Sequence, residues 1–139
     1  MRISALVLAE APTRLWGLSS QERLKRQLRE IGGISWIDGP GELPDSGLVL
    51  LLNGHYLFEI RTLQGLLQHP QSVLFSPVDD APAAALVDAS QAAEAVDCIA
   101  QKGAQLPAGL KRLEPGDLAA FNEVLRSARP PLLELITVS

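Results

Sequence analysis

The sequence predicts a single α/β domain over residues 1–139, built in three layers with a mainly parallel sheet between helices. Two observations carry this expectation. Short, near-continuously apolar segments bounded by turn residues recur along the chain, the pattern of strands buried on both faces. Segments with apolar residues at helical spacing alternate with them, as βαβ units require. A length of 139 residues, 47% hydrophobic and 20% charged, suits one globular domain with its own core.

Taken in order, residues 3–9 form the first buried strand, followed by a loop over 10–18 that contains Pro12 and Gly17. Ser19 or Ser20 caps a helix, and Glu22 falls in its first turn. Leu24, Leu28 and Ile31 make its apolar face and Gly32-Gly33 ends it. Because the leucines take the buried side, Arg23, Lys25, Arg26 and Arg29 are expected outside. Residues 34–37 are a short second strand, closed by the turn Asp38-Gly39-Pro40-Gly41. The run Leu48-Val49-Leu50-Leu51-Leu52 is the strongest strand signal and ends at the turn Asn53-Gly54-His55. Ile60, Leu63 and Leu67 mark a helix that stops before Pro70. Residues 72–75 and 83–87 are the fourth and fifth strands. Asp88 or Ser90 caps a helix through 91–102, with Gly103 past its end. Asp117 caps a last helix to about residue 128, Pro130-Pro131 closes it, and 132–138 are extended.

Several function classes are excluded at this level. A net charge of −4 and a pI near 5.1 argue against a general nucleic-acid binder. Cys98 is the one cysteine, so no intrachain disulfide or cysteine-rich zinc site is expected, and it reads as a small buried residue. No apolar run approaches the roughly 20 residues of a membrane span, and 3–9 lack a signal-peptide pattern. A cytoplasmic chain without direct membrane insertion is the expectation. Neither a G-x-S-x-G elbow nor a G-x-G-x-x-G fingerprint occurs.

Sites in parallel α/β sheets lie outside the carboxyl ends of the strands, which singles out residues 9–17 and 53–55. The segment Leu6-Val7-Leu8-Ala9-Glu10-Ala11-Pro12-Thr13-Arg14-Leu15 resembles the opening motif of nucleotidyltransferases, in which a glycine-rich loop wraps an incoming nucleoside triphosphate. Leu50-Leu51-Leu52-Asn53-Gly54-His55 resembles the same family's second motif, a strand ending in NGD whose aspartate holds magnesium. Residues 56–67, through Phe58, Arg61 and Leu63, are similar to the helix after it. Within the family, the domain found ahead of membrane-embedded CDP-alcohol phosphatidyltransferases is the subgroup resembled. Gly17-Leu18-Ser19 and Glu22-Arg23-Leu24 are similar to its loop and first helix, and Gly116-Asp117-Leu118-Ala119-Ala120 to its last helix. The resemblance implies a truncated, Rossmann-like nucleotidyltransferase fold. It implies nucleotide or phosphate contacts from Ala9, Thr13 and Arg14, and a strand-end site at Asn53, Gly54 and His55. Beside the resemblance, the basic cluster Arg23, Lys25, Arg26 and Arg29 suits a phosphate or phospholipid head group, or else is a solvated helix face.

The departures shape the functional expectation. Glu10, Ala11 and Pro12 stand where the family has glycines, whose bare backbone lets N–H groups approach phosphate oxygens. Proline offers no N–H. His55 replaces the metal-binding aspartate, and magnesium prefers oxygen ligands to imidazole. Asp79 and Asp80 are the remaining candidates for a metal; more often such a pair ahead of Ala81-Pro82 is a turn. His55 itself lacks the His-rich spacing of a transition-metal site, with only His69, Asp79 or Asp80 to assist. Trp16, beside Arg14, suits packing or base stacking. The resulting expectation is a degenerate nucleotidyltransferase-like domain, a binding or regulatory module in phospholipid head-group synthesis. Its partners would be a nucleotide or phosphorylated small molecule and a CDP-alcohol phosphatidyltransferase. One alternative is an active, magnesium-dependent nucleotidyltransferase acting on a phosphorylated sugar or polyol. Another is a self-associating structural domain that pairs through its apolar tail, 132–138.

Overall fold

The computed structural model describes residues 3–10, 19–29, 31–58, 60–76, 80–100, 105–118 and 133–135. Its elements run β1 (Ile3–Glu10), α1 (Ser20–Arg29), β2 (Ile34–Trp36), β3 (Leu48–Gly54), β4 (Tyr56–Phe58), α2 (Ile60–Leu66), β5 (Ser72–Ser76), β6 (Ala81–Asp88), α3 (Ala92–Ala100), β7 (Lys111–Leu113), α4 (Pro115–Leu118) and β8 (Leu133–Leu135). The protein is α/β, with a six-stranded sheet in the order β2-β1-β3-β6-β5-β7 and a separate pair β4-β8.

The large sheet is mixed. β1 is parallel to β2 and to β3, and β5 is parallel to β7. β6 runs antiparallel to both β3 and β5, between which it lies. The reason is connection length. β5 ends at Ser76 and β6 begins at Ala81, far too little chain for the crossover that a parallel pair needs, so the two form a hairpin.

Period-two alternation decides what each face buries. Leu50, Leu52, Leu74 and Leu86 point to one side, where they meet Leu24 and Leu28 of α1, Leu63 and Leu66 of α2, and Leu118 of α4. Val49, Leu51, Val73 and Val87 point to the other side, against Ala92, Ala95 and Ile99 of α3. The alanines of β6 and α3 matter here, because small side chains let a helix approach the sheet closely. Burial holds the thiol of Cys98, on α3, above its ordinary pKa.

Helix starts follow local chemistry. The Ser19 hydroxyl accepts the Glu22 N–H at 3.2 Å, and the Glu22 carboxylate accepts the Ser19 N–H at 3.0 Å, a reciprocal capping box. α3 differs from expectation, because a 3-10 turn (Ala89–Gln91) precedes it and the Asp88 side chain makes no capping bond. Asp117 is not the cap of α4 but lies inside its first turn, its carboxylate accepting the Glu114 N–H at 2.8 Å. The remainder of the expected last helix lies outside the described residues. Tyr56–Phe58, expected in a helix, is a strand, and its partner β8 comes from the apolar tail of the same chain. Residues 133–135 of the segment expected to self-associate thus pair with a strand of the same chain. β7 went unread in the sequence because Lys111-Arg112-Leu113 carries neither apolar run nor alternation long enough to see.

Candidate functional site

The two motifs identified in the sequence converge on one edge of the sheet. Ala9 is in register with Asn53 and Glu10 with Gly54, after an irregularity between Val7 and Ala9. The carboxyl ends of β1 and β3 thus lie side by side, the place where open α/β sheets carry ligands. The Asn53 side-chain oxygen accepts the His55 N–H at 2.9 Å. That Asx turn swings the chain out of β3 and into β4. Gly54 is buried and His55 is exposed at the tip of the turn. The imidazole therefore sits at the edge, open to solvent.

Helix α1 begins next to this edge, but its first turn is already committed. Ser19 and Glu22 satisfy each other, and the Glu22 carboxylate takes the position that favours negative charge at a helix N-terminus. Arg23 corrects the sequence expectation of a charged residue on the outer face. It is only 4% exposed, and its Nη2 donates to the Tyr56 carbonyl at 3.2 Å. One turn later, Gln27 Nε2 donates to the Phe58 carbonyl at 2.6 Å. These two side chains clamp β4 against α1. Lys25 lies on the opposite flank, its Nζ 5.7 Å from the centroid of Trp36. Arg26 and Arg29 are exposed in the last turn, where cations complement the helix dipole.

Asp80 is exposed, at a left-handed φ of 54°, and its carboxylate is paired with Arg112. Arg112 also lies 4.0 Å over the Phe75 ring and has its Nε 3.9 Å from Glu114. An arginine thus occupies one of the two carboxylates considered for a cation. Among the described residues no group of three His, Cys, Asp or Glu side chains is placed to hold a metal ion. Among the described candidates for magnesium, the strand-end position offers imidazole and Asp80 faces a guanidinium. Thr13, Arg14, Trp16 and Asp79 lie outside the described residues. Sequence reasoning missed Gln27, Phe75 and Arg112, and only the pairing of β5 with β7 brings the last two together.

No family model matches this chain, and no curated protein or solved structure matches it either. No helix among the described residues is long and apolar enough to cross a membrane.

Proposed function

We propose that the chain is a degenerate, Rossmann-like nucleotidyltransferase domain that acts as a binding or regulatory module rather than as a working transferase. One observation carries the reading: the strand ends that resemble the family's two motifs are in register, Ala9 beside Asn53 and Glu10 beside Gly54. The resemblance would bring Arg14 to a nucleotide or phosphorylated small molecule bound at this edge. Glu10 and His55 stand at the two positions where the resemblance would put a phosphate cradle and a metal ligand. The common direction of β1, β2, β3, β5 and β7 supports the Rossmann-like part of the reading, with β6 as the reversed strand. The context is phospholipid head-group synthesis on the cytoplasmic side, beside a membrane-embedded CDP-alcohol phosphatidyltransferase as partner.

The test is a thermal-shift titration with CTP, GTP, ATP and UTP, each with and without magnesium, alongside an assay for released pyrophosphate. A ligand at 100 times its dissociation constant adds about 2.7 kcal/mol to stability, well within reach of the method. The proposal expects stabilisation by one nucleotide that does not depend on magnesium, is weakened by Arg14→Ala, and comes with no pyrophosphate. Magnesium-dependent pyrophosphate release, abolished by Arg14→Ala, overturns the non-catalytic reading. Indifference to all four nucleotides overturns nucleotide binding.

A further inference from the structure

Helix α1 has two polar flanks. Arg23 and Gln27 lie on one, and Lys25 and Arg29 on the other, because a step of two residues turns the helix by more than half a circle. The second flank faces β2 at the open edge of the sheet. Between them lies a groove of about 290 Å³, lined by Lys25, Leu28, Arg29, Gly32, Ile34 and Trp36. Ile34 pairs with Ile3 at the start of β1, so this groove opens toward the amino ends of the strands. It is remote along the sheet from Asn53 and Gly54.

We propose that this groove binds a small aromatic anion, a single flat ring bearing a phosphate or carboxylate group. Its charge is of one sign: among the described residues two cations and no carboxylate line it, and neither cation is in an ion pair with another described residue. Lys25 is held over the Trp36 ring by cation–π attraction, which orders an otherwise flexible ammonium above an apolar floor of Leu28 and Ile34. Arg29, one turn further, supplies a planar fork suited to phosphate or carboxylate. The tryptophan offers a ring surface for offset or edge stacking with a second ring. Helix carbonyls near the groove would repel an anion, but the Leu28 carbonyl is covered by the N–H groups of Ile31 and Gly32, at 3.1 and 3.3 Å. Gly32, at φ +75°, has nothing within 4 Å of where a Cβ would sit, so the end of the groove stays open. The volume is near the lower end of the roughly 300–1,000 Å³ of ligand pockets, which suits one ring and one anionic group.

The experiment uses Trp16→Phe protein, so that Trp36 is the one remaining tryptophan, and follows its fluorescence as phenyl phosphate is added. Phenol and inorganic phosphate, run directly and in competition, separate the contributions of ring and charge. Saturable quenching by phenyl phosphate is expected, with each half binding at least about tenfold more weakly. Lys25→Gln with Arg29→Gln should weaken phenyl phosphate by about tenfold or more, and Arg29→Gln alone by a smaller factor. Arg29 is exposed, so the single variant keeps its thermal midpoint and remains readable if the double variant unfolds. Absence of saturation, affinity unchanged in both variants, or a bare phosphate or phenol binding as tightly as phenyl phosphate overturns the proposal.

Discussion

Replacing Arg23 by alanine separates a structural arginine from a ligand-binding one. The side chain is 4% exposed and donates from Nη2 to the Tyr56 carbonyl at 3.2 Å. A hydrogen bond with one charged partner contributes about 1.5–3 kcal/mol, and the buried aliphatic stem adds packing that alanine cannot replace. The expected loss is therefore about 2–4 kcal/mol. At roughly 3–5 °C per kcal/mol for a domain of this size, the thermal midpoint falls by on the order of 10 °C. Arg23→Lys should recover little, because a shorter, point-like ammonium does not reproduce the reach of the guanidinium. Gln27→Ala, which removes the neutral 2.6 Å bond to the Phe58 carbonyl, should cost about 1 kcal/mol. Since both side chains hold β4, a double-mutant cycle should show a coupling of about 0.5 kcal/mol or more. Urea unfolding followed by far-ultraviolet circular dichroism gives these values, with the slope checked for constancy. If Arg23→Ala stays within about 0.5 kcal/mol of the parent while losing affinity for nucleotide or phosphate, the clamp is wrong and Arg23 belongs to the binding site.

Leu50→Ala, at a fully buried position in the middle of β3, should cost about 2–5 kcal/mol in the same urea experiment, and half-buried Leu48→Ala distinctly less. Gly65→Ala gains about 1 kcal/mol of helix propensity, but its Cβ would lie 3.1 Å from Leu118 Cβ. Overpacking of about 1–3 kcal/mol should win, and a cycle with Leu118→Gly, which removes that Cβ, should show the penalty relieved. The Cys98 thiol, raised by burial, should react with a chromogenic disulfide only after unfolding. Because its folded pKa is the higher one, its contribution to stability is fully present below the ordinary thiol value of about 8.5 and is lost as pH rises through the folded value. A urea midpoint that climbs from pH 8 to pH 10 would contradict that sign.

What could be read from the sequence was whatever depends on near neighbours. The leucine run of β3, the capping box at Ser19 and Glu22, and the 3.6-residue spacing of Leu24 and Leu28 are local signals, and each element stands where they point. The reversal of β6 was present in the sequence as a strand followed by turn residues and a second strand, with no helix between. Alternation elsewhere along the chain outweighed it. β4 was hidden because Tyr56 and Phe58 become a strand only through partners that arrive from residues 133–135 and from α1. The strand-end residues Ala9 and Asn53 could be singled out separately, but their adjacency is a property of register.

The charged residues of α1 show where residue spacing stops being enough. Leu24 and Leu28 identify the buried direction, and from that alone every arginine and lysine on the helix should be outside. A helix at the margin of a sheet has two flanks besides its buried and outer faces, and each flank can meet a different neighbour. On one flank β4 presents backbone carbonyls, so Arg23 and Gln27 turn inward to meet them and their charge and polarity become part of the fold. On the other flank the sheet ends at β2, no backbone arrives among the described residues, and Lys25 and Arg29 border a groove instead. The same basic cluster is thus divided by topology into a structural half and a half left available to a ligand. Substitutions on the two flanks should accordingly separate: those on the β4 side move the unfolding midpoint, and those on the β2 side move affinity for an anion.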